Sequence, residues 1–322
     1  MNSKDYPTIR RLGGSVVDVR RFIKNEIVYE TDKFWSCFNM SIGYWPKKGY
    51  VATFRSGNFI YDNRGTHRIV DGSAEFKNQL WFSELDNNFS PKKLRQIDFS
   101  EVEEYEFNRG VEDARLFYRD GAWNFTCAVL EKNQVEKTRV AVARLDSKCT
   151  KVVDFELLPG LDAYVPEKNW VVSYEENENF DFISGPNQVV KDGTLYAWMT
   201  DNPDISMLRG STNLHPLGDG TYLAIMHRSY TESGSYYAAG SFGNINTTSR
   251  DYVQYFVRFN NDGYIISMSE GFKFHSPGIE VACGLVVQKN DFLMSFGKND
   301  VSSHVARLPM EAVLKSLKAV DY

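Results

Sequence analysis

Hydrophobic and polar residues alternate in short runs along most of the chain, and turn residues separate these runs. Runs that are rich in aromatic and β-branched residues and bounded by Gly, Asp, Asn or Pro predict β-strands. The predicted strands are YVATFR (50–55), LWFSEL (80–85), WNFTCAVL (123–130), TRVAVARL (138–145), TLYAWMT (194–200), TYLAIMHRSY (221–230), YVQYFVRF (252–259), CGLVVQ (283–288), DFLMSFG (291–297) and SHVARLP (303–309). Only PMEAVLKSLKAV (309–320) has helical spacing, so the pattern predicts an all-β protein with a short C-terminal helix.

A larger unit recurs along the chain: a polar start segment, a strand, a Gly or Asp turn and further strands. Five start segments begin at residues 37, 109, 167, 209 and 277. Their separation, roughly forty to seventy residues, suits propeller blades with loop insertions. A β-sandwich is the alternative, but it needs no polar cluster at each repeat start. The pattern predicts a single five-bladed β-propeller domain over 1–322, with an N-terminal segment (1–34), blades (35–310) and a C-terminal helix (311–322).

The N-terminal segment and one long connection are the parts of this arrangement that the pattern explains least. Residues 1–33 could complete the last blade or form a dimer contact. The polar, Tyr-rich stretch 230–252 reads as a long loop of the fourth blade, either a solvated insertion or a cover over the funnel. Oligomeric state is left open, with a homo-oligomer allowed.

Polar side chains at the start segments would converge on one funnel, because the innermost strand of every blade begins beside the propeller axis. Two carboxylates facing a sugar ring can cleave a glycosidic bond, whereas one carboxylate beside several cations indicates a bound anion such as phosphate. Each residue also has a plainer interpretation as a surface ion pair, turn residue or structural histidine. The candidates are Arg55, Glu112, Asp113, Arg115, Lys168, Asn169, Arg209, His227, Glu280, Asp300 and His304.

Composition and charge narrow the class of protein. The chain has 322 residues, a formal net charge of −5 and no basic tract, which argues against a nucleic-acid partner. No apolar run is long enough to cross a membrane, and the N-terminus has no hydrophobic signal core, so we expect a cytoplasmic protein without a membrane partner. The four cysteines lack C-x-x-C spacing, which argues against a zinc site, a disulfide framework or another metal site.

Several of these segments resemble glycoside hydrolase family 130. GVEDAR (110–115) is similar to its G-V-E-D-P-R signature, and TRVAVARLD (138–146) and RGSTNLHPLGDGTYLAIMHR (209–228) resemble later family stretches in the same order. The first-blade and last-blade segments also match, so the resemblance covers most of 35–310. The chain departs from the family at Ala114, Arg209 and Arg228, where Pro, Lys and Gly are usual. Its EKNW (167–170) fits a divergent branch better than the usual phosphorylase motif.

The resemblance implies a five-bladed propeller that acts on β-mannosides, by inverting phosphorolysis in most members and by hydrolysis in some branches. It makes Asp113 the general acid that protonates the leaving oxygen while inorganic phosphate attacks from the opposite face. Phosphate, the co-substrate, would be the only small molecule required besides an oligosaccharide or glycoside, with no cofactor. The resemblance implies that Arg139, Arg209 and His227 bind phosphate and that Arg55 and Asp300 bind the sugar. From their places in the start segments we add Lys168 to the predicted phosphate-binding residues, and Glu112, Arg115, Asn169 and Glu280 to the predicted sugar-binding residues.

Two questions stay open at this point. Arg115 lies two residues after Asp113, on the same side of an extended strand, so it could keep Asp113 ionised or instead contact Glu112 or the sugar. The reaction could be phosphorolysis, the reverse mannosyl transfer from mannose 1-phosphate, or hydrolysis by water that a carboxylate such as Glu280 activates. A non-catalytic carbohydrate-binding propeller is the remaining alternative.

Overall fold

The strands assemble into five successive antiparallel sheets, together with one two-stranded ribbon. This computed structural model describes residues 6–19, 35–45, 48–61, 67–69, 72–74, 76–102, 107–131, 138–158, 168–173, 177, 179–198, 201–231 and 250–321. The sheets are the blades of a five-bladed β-propeller, as the sequence predicted, and not the two layers of a β-sandwich. Most of the predicted loop at 230–252 lies outside the described residues.

The first two blades each have four strands, numbered along the chain and ordered from the axis outward. Blade 1 consists of β2 (Ser36–Trp45), β3 (Gly49–Gly57), β6 (Asn78–Glu84) and β7 (Arg95–Gln96), and its ribbon of β4 (Phe59–Tyr61) and β5 (His67–Ile69). Blade 2 consists of β8 (Phe107–Arg119), β9 (Ala122–Glu131), β10 (Thr138–Leu145) and β11 (Val152–Leu157). A short 3-10 helix, Ser100–Val102, precedes β8.

The remaining blades complete the ring. Blade 3 consists of β12 (Val171–Val172), β13 (Phe182–Gly185), β14 (Gln188–Lys191) and β15 (Thr194–Ala197). Blade 4 is built on β18 (Tyr222–Thr231), which pairs with β16 (Arg209–Gly210), β17 (His215–Pro216) and β19 (Arg250–Phe259), and β20 (Ile265–Met268) follows. Blade 5 consists of β21 (Glu280–Gln288), β22 (Asp291–Lys298), β23 (Ser302–Pro309) and, at its outer edge, β1 (Ser15–Asp18).

The N-terminal strand closes the propeller. β1 pairs antiparallel with β23, from Ser15 opposite Arg307 to Asp18 opposite His304. The last blade therefore contains strands from both ends of the chain, so residues 15–18 complete it as one of the two alternatives predicted. The dimer contact considered for 1–33 stays a prediction.

The C-terminal helix is shorter than predicted. It spans Met310–Ser316 and ends because Leu317 takes an extended conformation, with ψ 126°. Lys318–Ala319 then form β24, which pairs with β20 in blade 4. The sequence also missed the one-turn helix Pro203–Ser206, which Asn202 caps through its side-chain oxygen. The predicted helix over 311–322 is thus wrong in its second half, where pairing to a sheet edge replaces helical hydrogen bonds.

The hydrophobic core lies mainly between neighbouring blades. Between blades 5 and 1, for example, Ile42 and Phe54 pack with Leu293 and Val305, and all four are fully buried or nearly so. Comparable apolar layers separate blades 1 and 2, 3 and 4, and 4 and 5, with a smaller one between 2 and 3. Apolar packing on both faces of each sheet leaves the inner strands to present polar groups at the axis. The four cysteines are buried and unpaired. Among the described residues no helix is long and apolar enough to cross a membrane.

Candidate active site

The inner strands of blades 1 and 2 both bulge at the axis. The pairing register is interrupted between Phe38 and Ser41 in β2 and between Glu112 and Arg115 in β8. Asn39 and Asp113 lie in these bulges and both have φ 50°. Asn and Asp tolerate this left-handed conformation better than most residues, and bulges are common where a side chain must be re-aimed. Here the Asn39 side chain donates a 2.7 Å hydrogen bond from Nδ2 to Asp113 Oδ1.

Arg55, on β3, links the two carboxylates of the GVEDAR motif. Its Nη1 lies 3.0 Å from Asp113 Oδ1 and its Nη2 lies 3.0 Å from Glu112 Oε1. Its Nε donates to Asn78 Oδ1 at 2.8 Å. Burial opposes the charge of this guanidinium, but Glu112, Asp113 and then Asp300 together raise the pKa of Arg55 above its ordinary value. Arg55 is therefore a permanent cation held between acidic groups.

Asp113 is ionised at neutral pH. Burial is the largest influence on this carboxyl and on its own would raise the pKa. Arg55, Arg115, Lys168 and the Asn39 hydrogen bond together outweigh burial and lower the pKa of Asp113 to about 2. This answers the question that the sequence left open: Arg115 does help to keep Asp113 ionised, but Arg55 contributes more and makes the direct ion pair.

Arg115 links three blades by hydrogen bonds near the propeller axis. Its guanidinium donates from Nε to the Ser211 carbonyl at 2.5 Å, from Nη2 to Asn169 Oδ1 at 2.9 Å and from Nη1 to the Asp113 carbonyl at 3.1 Å. Only 2% of the residue is exposed. Because the bulge breaks strand alternation, Arg115 turns toward blades 3 and 4 while the Asp113 carboxylate turns toward blade 1. The expectation that both lie on one side was wrong. The assignment of Arg115 to the sugar stays a prediction, and its described partners are groups of the protein.

His227, on β18, is neutral and surrounded by cations. Its Nδ1 lies 2.7 Å from Ser211 Oγ, and its ring stacks on Tyr252 at 4.8 Å between centroids and 9° between planes. Burial first, and then Arg209, Arg115 and Lys168, lower the pKa of His227 to about 3. Arg209 lies directly opposite His227 across β16 and β18. The structure therefore gathers Lys168, Arg209 and His227 beside Arg115, within electrostatic reach of Asp113.

Asn169 and Asp300 occupy left-handed positions beside this group. Asn169, with φ 67°, accepts the Arg115 hydrogen bond in front of β12. Asp300, with φ 50°, follows β22 in the turn that its sequence indicated. Its charge acts on Arg55, which places it on the Asp113 side of the funnel. Among the predicted sugar-binding residues, Arg55, Glu112, Asn169 and Asp300 are thus brought together.

Glu280 has a different environment. It is 0% exposed, and its carboxylate accepts hydrogen bonds from the backbone N–H groups of Phe274 at 2.8 Å and of His275 and Ser276 at 3.0 Å. Burial raises the pKa of Glu280 even though these bonds oppose the rise. The side chain organises the turn before β21, so we remove it from the candidate site, both as a sugar contact and as an activator of water.

Of two further candidates, Arg139 lies away from the described cluster and His304 packs against an aromatic ring. Arg139 lies on β10, the third strand of blade 2, where its guanidinium donates to the Leu158 carbonyl. Its assignment to phosphate stays a prediction. His304, on β23, stacks on Phe296 at 5.0 Å and bonds Ser302 Oγ through Nε2 at 2.8 Å, which fits the structural interpretation of this histidine.

Sequence reasoning missed Asn39, Asn78, Ser211 and Tyr252. A signal for Asn39 does exist: FNMS (38–41) and EDAR (112–115) occupy the same bulged position in consecutive inner strands. Asn78 and Ser211 act only as partners of Arg55 and His227, and Tyr252 only through stacking, so no motif marks them. No cluster of three or more His, Cys, Asp or Glu suited to a metal occurs within the described part of the chain.

Comparison with known proteins supports the fold. No protein-family model matches the sequence, and no curated protein matches it with significant similarity. Solved structures do match: a β-1,2-mannobiose phosphorylase from Listeria innocua in complex with β-1,2-mannobiose has a TM-score of 0.54 at 11% identity, covering 87% of this chain and 91% of that one. A second structure has a TM-score of 0.56 at 12% identity, covering 90% of this chain and 88% of that one. It was reported in work on the family 130 mannoside phosphorylases, which contain glycoside hydrolases that target β-1,2-mannosidic linkages in Candida mannan.

A third match comes from a mannose phosphorylase of Leishmania mexicana in complex with phosphate. Its TM-score is 0.50 at 10% identity, covering 94% of this chain and 97% of that one. The coverage is nearly complete in both directions, so the sheets of the described residues share the propeller architecture of these proteins. At this level of identity the likeness establishes the fold and does not by itself assign an activity.

Proposed function

We propose that the protein is a carbohydrate-active enzyme that acts on β-mannosides, through inverting phosphorolysis or the reverse mannosyl transfer from mannose 1-phosphate. The observation that carries the proposal is the pairing of one deeply held carboxylate, Asp113, with a separate cationic group, Lys168 and Arg209 around neutral His227. One carboxylate and an anion site are the minimum that phosphorolysis needs, because phosphate supplies the nucleophile. The similar mannoside phosphorylases support the choice of sugar.

In the cleavage direction, a phosphate oxygen forms a bond to the anomeric carbon while the glycosidic C–O bond breaks. A proton from the Asp113 carboxyl goes to the departing oxygen. In the synthetic direction, an acceptor hydroxyl attacks the anomeric carbon of mannose 1-phosphate, phosphate leaves, and Asp113 takes the hydroxyl proton. Both directions invert the anomeric centre. The protein contributes orientation and fixed charges, which act without reorganisation during the reaction.

The cationic group suits a phosphate dianion. Arg209 supplies a planar set of donors for two phosphate oxygens, and Lys168 supplies a point charge. Neutral His227 can contribute a hydrogen bond without adding a charge that would hold phosphate too tightly, and Ser211 with Tyr252 fixes its ring. Arg115 is already committed to Ser211, Asn169 and the Asp113 backbone, so in this proposal it positions the two halves of the site relative to each other.

The ionised state of Asp113 favours the synthetic direction. At neutral pH a carboxyl with a pKa of about 2 is ionised, which is the state that must accept the hydroxyl proton in synthesis, whereas cleavage needs a proton that it does not carry. Phosphate in the cationic group would offset Lys168, one of the charges that lower this pKa, and so ease protonation during cleavage.

The position of Glu280 argues against hydrolysis by water that this particular carboxylate activates. An inverting hydrolase needs a second carboxylate to activate water. The carboxylate suggested for that role by the sequence is engaged by three backbone N–H groups and is inaccessible. Hydrolysis also uses no phosphate, so it gives no reason for the cations Lys168 and Arg209 to lie together at the site.

The test is a phosphate-dependence assay on purified protein in both directions. We would offer β-1,2-mannobiose with phosphate, and mannose 1-phosphate with mannose and other acceptors, and follow sugar 1-phosphate and free phosphate. We expect turnover that Asp113→Asn abolishes, and a raised KM for phosphate or mannose 1-phosphate in Arg209→Met. Arg258→Met, which alters a surface ion pair with Asp219 in blade 4, is the matched control and should leave both constants unchanged.

Three results would count against the proposal. Free mannose released without phosphate would indicate a hydrolase. An Arg209→Met variant with normal affinity for phosphate would remove the anion site. Sugar binding without turnover in either direction would leave a carbohydrate-binding propeller.

A further inference from the structure

A second, aromatic cavity lies at the opposite end of blade 2 from Asp113. Its volume is about 550 Å³, and it is lined by residues from the end of β2, the β8–β9 turn and the β10–β11 connection. Tyr118 follows Asp113 by five residues along β8, which at about 3.3 Å per residue puts them roughly 16 Å apart. The cavity volume lies within the range of small-molecule sites, roughly 300–1,000 Å³. This cavity shares no residue with the candidate active site.

Three aromatic rings form the apolar part of the cavity. Trp45, Tyr118 and Trp123 contact one another, with ring centroids 5.2 to 6.2 Å apart. Trp45 and Tyr118 are only half-buried, and Val153 beside them is 45% exposed, so apolar surface faces solvent here. The Tyr118 hydroxyl makes no hydrogen bond among the described residues, and the buried indole N–H of Trp123 has no acceptor among them either. The rings therefore leave apolar surface and the Tyr118 hydroxyl uncommitted, whereas Trp123 is only 2% exposed and its N–H does not face the solvent.

Positive and negative side chains surround these rings in equal number. Arg144 and Asp154 line the cavity from β10 and β11 and are both exposed. Asp146 lines it too, but its carboxylate accepts hydrogen bonds from the backbone N–H groups of Thr150 and Lys151. Lys48 lies over the Trp45 ring at 4.0 Å. Two cations and two carboxylates give no excess of positive charge, so the cavity offers an anionic ligand such as a nucleotide no net attraction.

The geometry points to a neutral pyranose as the ligand of this cavity, and we propose a second carbohydrate-binding site there. A sugar ring has an apolar face that packs on aromatic side chains and a hydroxyl edge that pairs with guanidinium, carboxylate and phenol groups. A wholly apolar ligand would make no use of the polar groups at the rim, where Arg144 and Asp154 are exposed. The site binds without catalysing, because no carboxylate in it is buried and free to transfer a proton. Its occupancy does not depend on which reaction the axial site performs.

The experiment is a binding titration followed by fluorine NMR of protein labelled with 5-fluorotryptophan. The signals of Trp45 and Trp123 would be assigned from Trp45→Phe and Trp123→Phe. The probes are methyl β-D-mannopyranoside and methyl β-D-glucopyranoside at millimolar concentrations, with and without saturating mannose 1-phosphate. We expect at least one of the two signals to shift saturably with a sugar, and the shift to persist in the presence of mannose 1-phosphate.

Variants separate this site from general sugar binding. Tyr118→Ala removes one stacking surface and should weaken binding by about fivefold to tenfold. Asp154→Ala, at an exposed position on β11, should weaken it as well and guards against a folding defect in the first variant. Tyr196→Ala removes an exposed tyrosine in blade 3 and should have no effect. Unmoved Trp45 and Trp123 signals with both sugars would overturn the proposal, as would equal affinity in wild type, Tyr118→Ala and Asp154→Ala.

Discussion

Removal of the Arg55 guanidinium should raise the pKa of Asp113. Arg55 is the strongest of the groups that lower the pKa of Asp113, and it contacts Oδ1 directly at 3.0 Å. In Arg55→Met, burial acts on the carboxyl with much less opposition, because only Arg115, Lys168 and Asn39 remain. We expect the pKa of Asp113 to rise from about 2 to at least its ordinary value of 3.8.

The size of the effect follows from the two pKa values. The rise from about 2 to 3.8, at about 1.36 kcal/mol per tenfold change in proton affinity, corresponds to about 2 kcal/mol. The side chains of Arg55 and Asp113 are 8% and 14% exposed, so solvent screens this pair little. In the wild type, the lowered pKa stabilises the fold above about pH 4, and this contribution is lost as the pH falls through about 2. Arg55→Met lacks this stabilising contribution at every pH.

The measurement is a carboxyl-carbon NMR titration of protein labelled at aspartate, with the Asp113 signal assigned from Asp113→Asn. Arg55→Lys keeps a charge but cannot contact Asn78, Glu112 and Asp113 at once, so its Asp113 pKa should fall between those of the wild type and the methionine variant. Arg258→Met should leave the Asp113 titration where it is. If Asp113 in a folded Arg55→Met protein titrates at its wild-type pKa, the ion pair is not what keeps this carboxyl ionised.

Two further predictions concern groups around Asp113. His227, with a pKa lowered to about 3, stays neutral in the fold but takes up a proton near pH 6.5 when unfolded, so stability falls with pH below that value. Urea unfolding should show about 2 kcal/mol of pH-dependent loss from pH 6.5 to 5 that is absent in His227→Gln. An added Cβ at Gly297 would meet Asn39 Oδ1 at 1.8 Å and Asn39 N at 2.6 Å. Gly297→Ala should therefore destabilise the fold by about 1–3 kcal/mol and lower kcat, whereas a variant with wild-type kcat would show that the Asn39 contact to Asp113 is dispensable.

The number of blades and the bounds of strands such as β10 could be predicted from the sequence because each rests on a local pattern, whereas the sequence predicts only ten of the twenty-four strands among the described residues. TRVAVARL was predicted over 138–145, and β10 spans those same residues. A polar start before each inner strand was enough to place Glu112, Asp113 and Asn169 near one axis. The C-terminal helix failed at Leu317 because the sequence keeps helical spacing there, while the edge of β20 offers strand pairing that local pattern cannot reveal.

The fine geometry of the site could not be predicted because it depends on bulges and on partners far along the chain. Spacing placed Arg115 and Asp113 on one face, but the register break after Glu112 turns them apart. Glu280 was predicted to belong to the site because it is a carboxylate at a strand start. The sequence does not indicate that three backbone N–H groups donate hydrogen bonds to it. Hydrogen bonds across 74 residues, as between Asn39 and Asp113, leave no mark in a single sequence.

The bulge in β8 explains how one strand can serve both halves of the proposed site. Before the bulge, Glu112 faces Arg55 in blade 1, and at the bulge Asp113 joins it. After the bulge, Arg115 reaches Asn169 and Ser211 in blades 3 and 4, and Ser211 in turn holds His227. A regular strand would send alternate side chains to opposite faces and could not place consecutive polar groups around the axis in this way. The positive φ of Asp113 thus couples the carboxylate to the anion side through Arg115, so a change in one half should be felt as a pKa change in the other.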